Sequence, residues 1–142
     1  MKEVWKAAFA GVSSVLIYLV GGLDIALQAL LVFIVIDYLT GLGKGYVSST
    51  LNSQVGLKGI VKKLGILSLV VVATLLDRMM GDSGLIRTVI IYYLAANEGL
   101  SILENLGAMT VVVPEFLKNK LEQLTDSAEK GDIHEDQNRK AS

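Results

Sequence analysis

Seventeen consecutive residues between Lys6 and Asp24 carry no charge, and three further apolar blocks of similar character follow. At about 1.5 Å per residue such a run is roughly 26 Å of helix, close to the hydrocarbon thickness of a bilayer. A soluble protein of 142 residues is expected to show amphipathic helices with regular polar faces, whereas several of these blocks are apolar all round. That pattern points to lipid.

Block one runs from about Val4 to Val20, and block two from Leu23 or Ile25 to Leu42 around the core Leu30–Ile36. Block three runs from Ile60 to Met80. Its uncharged stretch between Lys63 and Asp77 is only 13 residues, so it spans only if Lys62 and Lys63 snorkel at one end and Asp77 reaches the other interface. Block four, Gly84 to Ala108, is long enough but carries Glu98 and Glu104. Block one imitates a signal peptide through Lys2 and Lys6. Gly21-Gly22-Leu23-Asp24 is nevertheless a poor small-x-small cleavage site, and a second apolar block follows at once.

Gly21-Gly22 with Asp24, and Gly81-Asp82-Ser83-Gly84, read as tight turns, each flanked by two apolar blocks. The expected fold is therefore an all-α integral membrane protein of about four transmembrane helices arranged as two helical hairpins. Three spans is the alternative, because blocks one and three are short. The segment Gly43–Lys63 contains four lysines and no acid. The positive-inside rule makes it cytoplasmic, which puts both termini inside and both tight turns outside.

The charges are unevenly distributed, with seven acids and eight bases in residues 1–114 against seven and five in 115–142. After Pro114, Phe116, Leu117, Leu121 and Leu124 recur at helical spacing among charged residues, giving an amphipathic interfacial helix over 113–125 after a transmembrane domain of 1–112. Residues 126–142 read as a polar, disordered cytoplasmic tail.

Candidate functional residues concentrate in block four. Asn97, Glu98, Ser101, Glu104 and Asn105 fall within an arc of roughly 120° on a helix. Acids inside a membrane are costly and face a partner, a cavity or water. Three readings stay open: a helix lining an aqueous path or an oligomer seam, polar glue between helices, or residues at the cytoplasmic interface. Asp37 can cap a helix end, pair with a lysine of the cytoplasmic segment, or meet Glu98 or Asn105 across the bundle, with a structural role at the interface preferred. Asp77 and Arg78 are read as interface markers. Lys58, Lys62 and Lys63 set orientation and touch anionic lipid.

Enzyme motifs fail their tests. Gly41-Leu42-Gly43-Lys44-Gly45 lacks the first glycine of a P-loop and the hydroxyl after the lysine, and position 46 is Tyr where a dinucleotide fold needs Gly. The same glycines more simply let a helix end turn or pack closely. The absence of cysteine excludes thiolate chemistry. His134, the sole histidine, sits in the polar tail and supports neither a metal site nor a triad. No catalytic residue, metal or cofactor is assigned. A net charge of −1 supplies no field for nucleic acid.

Several landmarks combine into an ordered set. Asp37-Tyr-Leu-Thr40-Gly41 closes a span, Asn52-Ser53 follows, and Gly56-Leu-Lys-Gly-Ile-Val-Lys62-Lys63 enters the next span, which Asp77 ends. Asn97-Glu98-Gly-Leu-Ser101-Ile-Leu-Glu104-Asn105 comes late in the last span, with Pro114 and a leucine-rich helix beyond it. Over roughly residues 20–125 this order resembles the phage holin family that includes the toxin-secretion holins of clostridia and the lysis holins of Gram-positive phages. The resemblance implies a multi-pass protein of the bacterial host's cytoplasmic membrane, usually drawn with about three spans. It would assemble with itself at a set time into lesions that release an endolysin or a toxin, with an antiholin as a further partner. Small residues such as Gly11, Ser13, Ser14, Ala26, Ala29 and Gly65 permit close helix packing. A small ion-conducting channel or transporter subunit, and a non-conducting antiholin or scaffold, are the competing functions. A membrane enzyme lacks every chemical requirement.

Overall fold

The computed structural model describes residues 1–131 and is all-helical over them. The elements are α1 (Lys2–Leu19), α2 (Ile25–Val47), α3 (Ser53–Met79), α4 (Leu85–Ala108) and α5 (Glu115–Glu129). By length and composition, α2 and α3 are able to cross a membrane. The short α1 carries Lys2, Glu3 and Lys6, and α4 carries Arg87, Glu98 and Glu104.

Side-chain caps start the two long helices. The Asp24 carboxylate accepts the Leu27 N–H at 2.9 Å, and the Asn52 amide oxygen accepts that of Val55 at 2.8 Å. Each satisfies one of the orphan donors at a helix N-terminus. The turn after α1 runs through Gly21 and Gly22, both left-handed at φ +79° and +101°.

The helices are longer than the apolar blocks. α2 continues through the Gly-Leu-Gly-Lys-Gly run to Val47, and α3 begins at Ser53. The lysine-rich segment Gly43–Lys63, expected to connect the two hairpins, is therefore mostly helix, with a short connection at 48–52. Those glycines lie within α2 and admit close neighbours. A β-carbon at Gly43 would lie 3.0 Å from the Met109 sulfur, and one at Gly45 3.4 Å from Leu51.

The core is formed by Leu27, Leu30 and Ile34 of α2, Ile66 and Val70 of α3, and Ile91, Leu94 and Ala95 of α4. α4 is the centre of the bundle and packs against α2, α3 and α5. The outward faces of α2 and α3, including Val32, Val35, Leu39, Leu64 and Val72, are apolar and exposed, a surface that fits lipid better than water.

Two expectations change. The first hairpin is not a packed pair: α1 makes its helix contacts with α3, and no residue of α1 is buried. Its C-terminal carbonyls are claimed by arginines of α3 and α4, so its end is tied to them rather than to α2. The amphipathic helix lies along α4 and runs to Glu129, four residues beyond the boundary drawn at 125. Buried Ala128 adds a further turn of contact. The rest of the tail assigned to 126–142, with His134, lies from 132 onward outside the described residues.

Candidate functional site: a buried ion cluster

Asp37 from α2, Lys63 from α3, and Glu98 and Asn105 from α4 meet inside the bundle. All four are buried, Glu98 to 2% exposure. The Lys63 ammonium donates to Asp37 Oδ2 and to Glu98 Oε2. Asn105 Nδ2 donates to Asp37 Oδ1 at 3.1 Å and to Thr40 Oγ1 at 3.3 Å. Lys62, whose side chain is largely exposed, brings its ammonium to 4.0 Å from Glu98 Oε1. With Lys62 included the formal charges cancel, two acids against two lysines. No buried side-chain polar atom among the described residues lacks a partner. Such mutual satisfaction is what allows a charged group to sit in an apolar interior.

Each member arrives on an apolar seam. Lys63, Ile66, Val70, Ala73 and Asp77 are the buried line of α3, and Ile91, Leu94, Glu98, Ile102 and Asn105 that of α4. Asp37 continues Leu27, Leu30 and Ile34 on α2. The alternation of three- and four-residue steps keeps one side of a helix facing its partners.

A second polar layer closes the opposite end of the bundle. Asp77 is 2% exposed and accepts the N–H groups of Ile86 (3.1 Å) and Arg87 (2.6 Å), capping α4 from α3. Gly84, the residue preceding α4, has no side chain to do this. Arg87 donates to the carbonyls of Val20 (2.6 Å) and Gly22 (3.0 Å) and to the Asp24 carboxylate, fastening the α1–α2 turn to α4. Arg78 lies 4.0 Å over the Tyr18 ring and donates to the Tyr18 carbonyl. Partial burial pushes the Asp24 carboxyl up. The hydrogen bond from Arg87, that from the Leu27 N–H and the Arg87 charge outweigh it, holding the group below its ordinary 3.8.

The polar arc of block four is therefore divided. Glu98 and Asn105 turn into the cluster, while Asn97 and Ser101 are half-buried at its edge. Glu104 is exposed and shares a cleft with Glu115, Lys118 and Glu122 of α5. Of the motif residues, Asp37 and Thr40 belong to the cluster, and a β-carbon at Gly41 would lie 3.7 Å from Asn105 Nδ2. Asn52 and Ser53 only start α3. The Lys62 side chain is largely exposed, while Lys63 points inward, because it shares the seam of Ile66 and Val70. Asp77 is a buried cap of α4. Arg87 was not singled out in the sequence. Its signal was a cation in the first turn of a helix, where the dipole disfavours positive charge unless it is paired.

Comparison with known proteins places this arrangement. Residues 14–126 match the bacteriophage holin family. An uncharacterised 14.9 kDa protein from the nagH 3′ region of Clostridium perfringens is 46% identical over 123 residues, covering 85% of this chain and 92% of that one. An uncharacterised protein of Listeria innocua is 40% identical over 136 residues, 95% of each chain. A probable holin of Bacillus phage phi105 is 34% identical over 95 residues, 67% of this chain and 70% of the phage protein. No solved structure matches the chain. A helical chain with a lipid-compatible surface, a buried ion cluster and a match over most of its length belongs to the bacteriophage holin family.

Proposed function

We propose that the protein is a holin that self-associates in the bacterial cytoplasmic membrane and opens timed lesions through which an endolysin, or a toxin, leaves the cell. In this reading α1 to α4 are four spans with both termini cytoplasmic, and an antiholin is a further partner. The observation that carries it is the short apolar distance between the ion cluster and the polar layer at the other end of the bundle. Asp24 to Asp37, Lys63 to Asp77 and Arg87 to Glu98 are separated by 13, 14 and 11 positions, or roughly 17–21 Å of helix. The apolar layer between the two polar layers is thinner than a hydrocarbon core of about 30 Å, so one polar layer lies within lipid depth.

Ionisable groups at that depth are sustained by one another or by water. In a lone chain Asp37, Lys63, Glu98 and Asn105 satisfy one another and keep the bundle closed. Once many copies meet, the same groups can be hydrated instead, and the edge carrying Asn97, Ser101 and Glu104 becomes the wall of an aqueous opening. Exchange of internal pairs for water costs little only when several chains open together, which makes the event steep in concentration.

The test is timed induction in a bacterium carrying a cytoplasmic endolysin that has no export signal. Turbidity, membrane potential and external endolysin activity are recorded together. A delay followed by abrupt depolarisation with enzyme release is the expected result. Depolarisation without release would indicate a small channel, and continued growth despite insertion would indicate an antiholin or scaffold. Either outcome overturns the proposal.

A further inference from the structure

α2 and α3 both pack on α4 but meet each other sparingly, and a groove runs between them. Its inner part is a cleft of about 230 Å³ walled by Ile34, Val35 and Leu39 of α2 and by Ile60, Leu64 and Leu67 of α3. Lys63 also lines it, with its ammonium already bound to Asp37 and Glu98. The outer part is a wider cleft of about 560 Å³ at the α2–α3 connection, lined by Leu42, Gly56 and Leu57 and by the polar Asn52 and Ser53. Tyr38 and Ile60 line both, so the two clefts form one continuous groove. Glycines make room for Tyr38 there: a β-carbon at Gly59 would lie 3.2 Å from its ring, and one at Gly56 3.6 Å from its hydroxyl.

Among the described residues no other helix fills this groove. α1 and α5 line neither cleft. α5 is seated on α4 instead, where a β-carbon at Gly99 would lie 2.9 Å from a Leu121 methyl group. The groove's apolar rim stays open, with Leu39 59% and Leu64 60% exposed. From Leu57 to Leu67 is ten positions, roughly 15 Å of helix and about half of a hydrocarbon core. A helix of about 10 Å diameter over that length fills on the order of 1,200 Å³, so the inner cleft is a slot for a hydrocarbon chain and not for a helix. The chemistry is ordered as in a lipid, apolar at depth and polar at the mouth. The mouth lies at the cytoplasmic interface in the holin reading, on whose topology this inference rests. No acid lines either cleft, and Gly43–Lys63 carries four lysines and no acid. Such a field draws a negative headgroup.

We infer that the α2–α3 groove binds one anionic glycerophospholipid of the cytoplasmic leaflet, with an acyl chain in the inner cleft and the headgroup at the mouth beside Tyr38, Asn52 and Ser53. Asn52 spends its amide oxygen on the Val55 N–H, and its NH₂ group and the Ser53 hydroxyl are donors suited to a phosphate. The acyl chain covers the side of Lys63 that lines the cleft, closing the ion cluster against water from that direction. Because the lipid binds the closed bundle, its presence stabilises that state by mass action. Ordinary contact between an apolar helix face and lipid tails is neither saturable nor selective for a headgroup, so the site is distinguishable from it.

The full-length protein in nonionic detergent is titrated with dioleoylphosphatidylglycerol or dioleoylphosphatidylcholine while its thermal midpoint is followed. Phosphatidylglycerol is expected to raise the midpoint saturably, with an apparent affinity about fivefold above that of phosphatidylcholine, the effect of one charge near a membrane surface. Phosphatidylglycerol carrying a diazirine near the end of its chain, in phosphatidylcholine vesicles, is expected to label residues 34–39 and 60–67 in preference to α1. Ser53→Glu tests the headgroup position. An acid in the first turn favours the helix but repels an anion, so the lipid-free midpoint is expected to hold or rise while the preference for phosphatidylglycerol is lost. Leu39→Trp/Leu64→Trp fills the slot from exposed positions and is expected to abolish both the shift and the labelling. Equal response to the two lipids, even labelling of α1, α2 and α3, or an unchanged preference in Ser53→Glu overturns the inference. Cross-links that place a second copy in the groove overturn it too. Endolysin release scores the holin reading separately. Selective lipid binding without release keeps the site and removes the holin, and release without lipid selectivity does the reverse.

Discussion

Lys63 of α3 and Glu98 of α4, 35 positions apart, join as a buried ion pair that Asp37 of α2 shares from the other side. One ammonium thus ties three helices together. Its two carboxylates differ in their remaining support: Asp37 also accepts from Asn105, whereas Glu98 looks to Lys62 near the surface. The two acids are therefore not equivalent to substitution.

Lys63→Met strands both carboxylates. Removing one partner of a buried ion pair typically costs about 3–5 kcal/mol, because the remaining charge has lost its compensation. The amount of folded protein in the membrane fraction is expected to fall sharply. Lys63→Met combined with Glu98→Leu, which removes one of the stranded acids, is expected to recover part of that loss. Strict additivity of the two losses would show that the residues do not act as a unit.

Glu98→Leu alone leaves Lys63 paired with Asp37, and Asp37 with Asn105. Insertion and accumulation are expected to stay near normal, while lysis is blocked or strongly delayed. The measurement is membrane-fraction abundance alongside culture turbidity after induction. Lysis on the ordinary schedule would show that this carboxylate has no part in opening.

Much of this arrangement could be read from residue spacing, and the rest depended on contacts that spacing does not encode. Position 63 is in phase with Ile66, Val70 and Ala73, and position 98 with Ile91, Leu94 and Ile102. An ionisable residue on an otherwise apolar seam is the local sign that it faces neighbouring helices. Lys62, one step of about 100° away, falls off the seam and is largely exposed. The partners of these residues were not legible, because pairing across 26 and 35 positions depends on how the helices are stacked. Nor was the departure of α1 from α2, since nothing local in Val20–Asp24 announces that Arg87 will bind two of its carbonyls. The seat of α5 on α4 was hidden for a related reason. The stripe Phe116, Leu117, Leu121 and Leu124 fits a membrane surface and a helix equally well, and the glycine that selects the helix lies at position 99.

The α1–α2 turn offers a paired test of the Arg87 clamp. Gly21 and Gly22 both have positive φ, so alanine at either meets backbone strain, on the order of 1–3 kcal/mol. A β-carbon at Gly21 would also lie 2.7 Å from Arg87 Nε and 3.0 Å from Thr74 Cγ2, whereas Gly22 faces open space. Gly21→Ala is therefore expected to displace the guanidinium from the Val20 carbonyl and expose the turn to protease, with Gly22→Ala less affected. In an Arg87→Lys background, where the fork is already lost, protease sensitivity of the two alanine variants is expected to converge. A persistent difference would assign the effect to Thr74 instead.

Asp24 combines two roles that acid can separate. Its carboxylate caps α2 through Leu27 and faces Arg87, and its folded-state pKa lies below the ordinary 3.8. A depressed carboxylate stabilises the fold above its unfolded pKa, and that contribution is lost as pH falls through the folded value. Asn at this position keeps an oxygen for the cap but has no charge for Arg87. The Asp24→Asn protein is therefore expected to have a lower thermal midpoint at about pH 5 than the unsubstituted chain. The gap is expected to close as pH falls below 3.8 and through the lower folded value, where protonation removes the charge from Asp24 itself. Thermal unfolding of the full chain in a nonionic detergent across that range is the measurement. An unchanged gap at every pH would show that the loss comes from packing at the turn and not from the Arg87 ion pair.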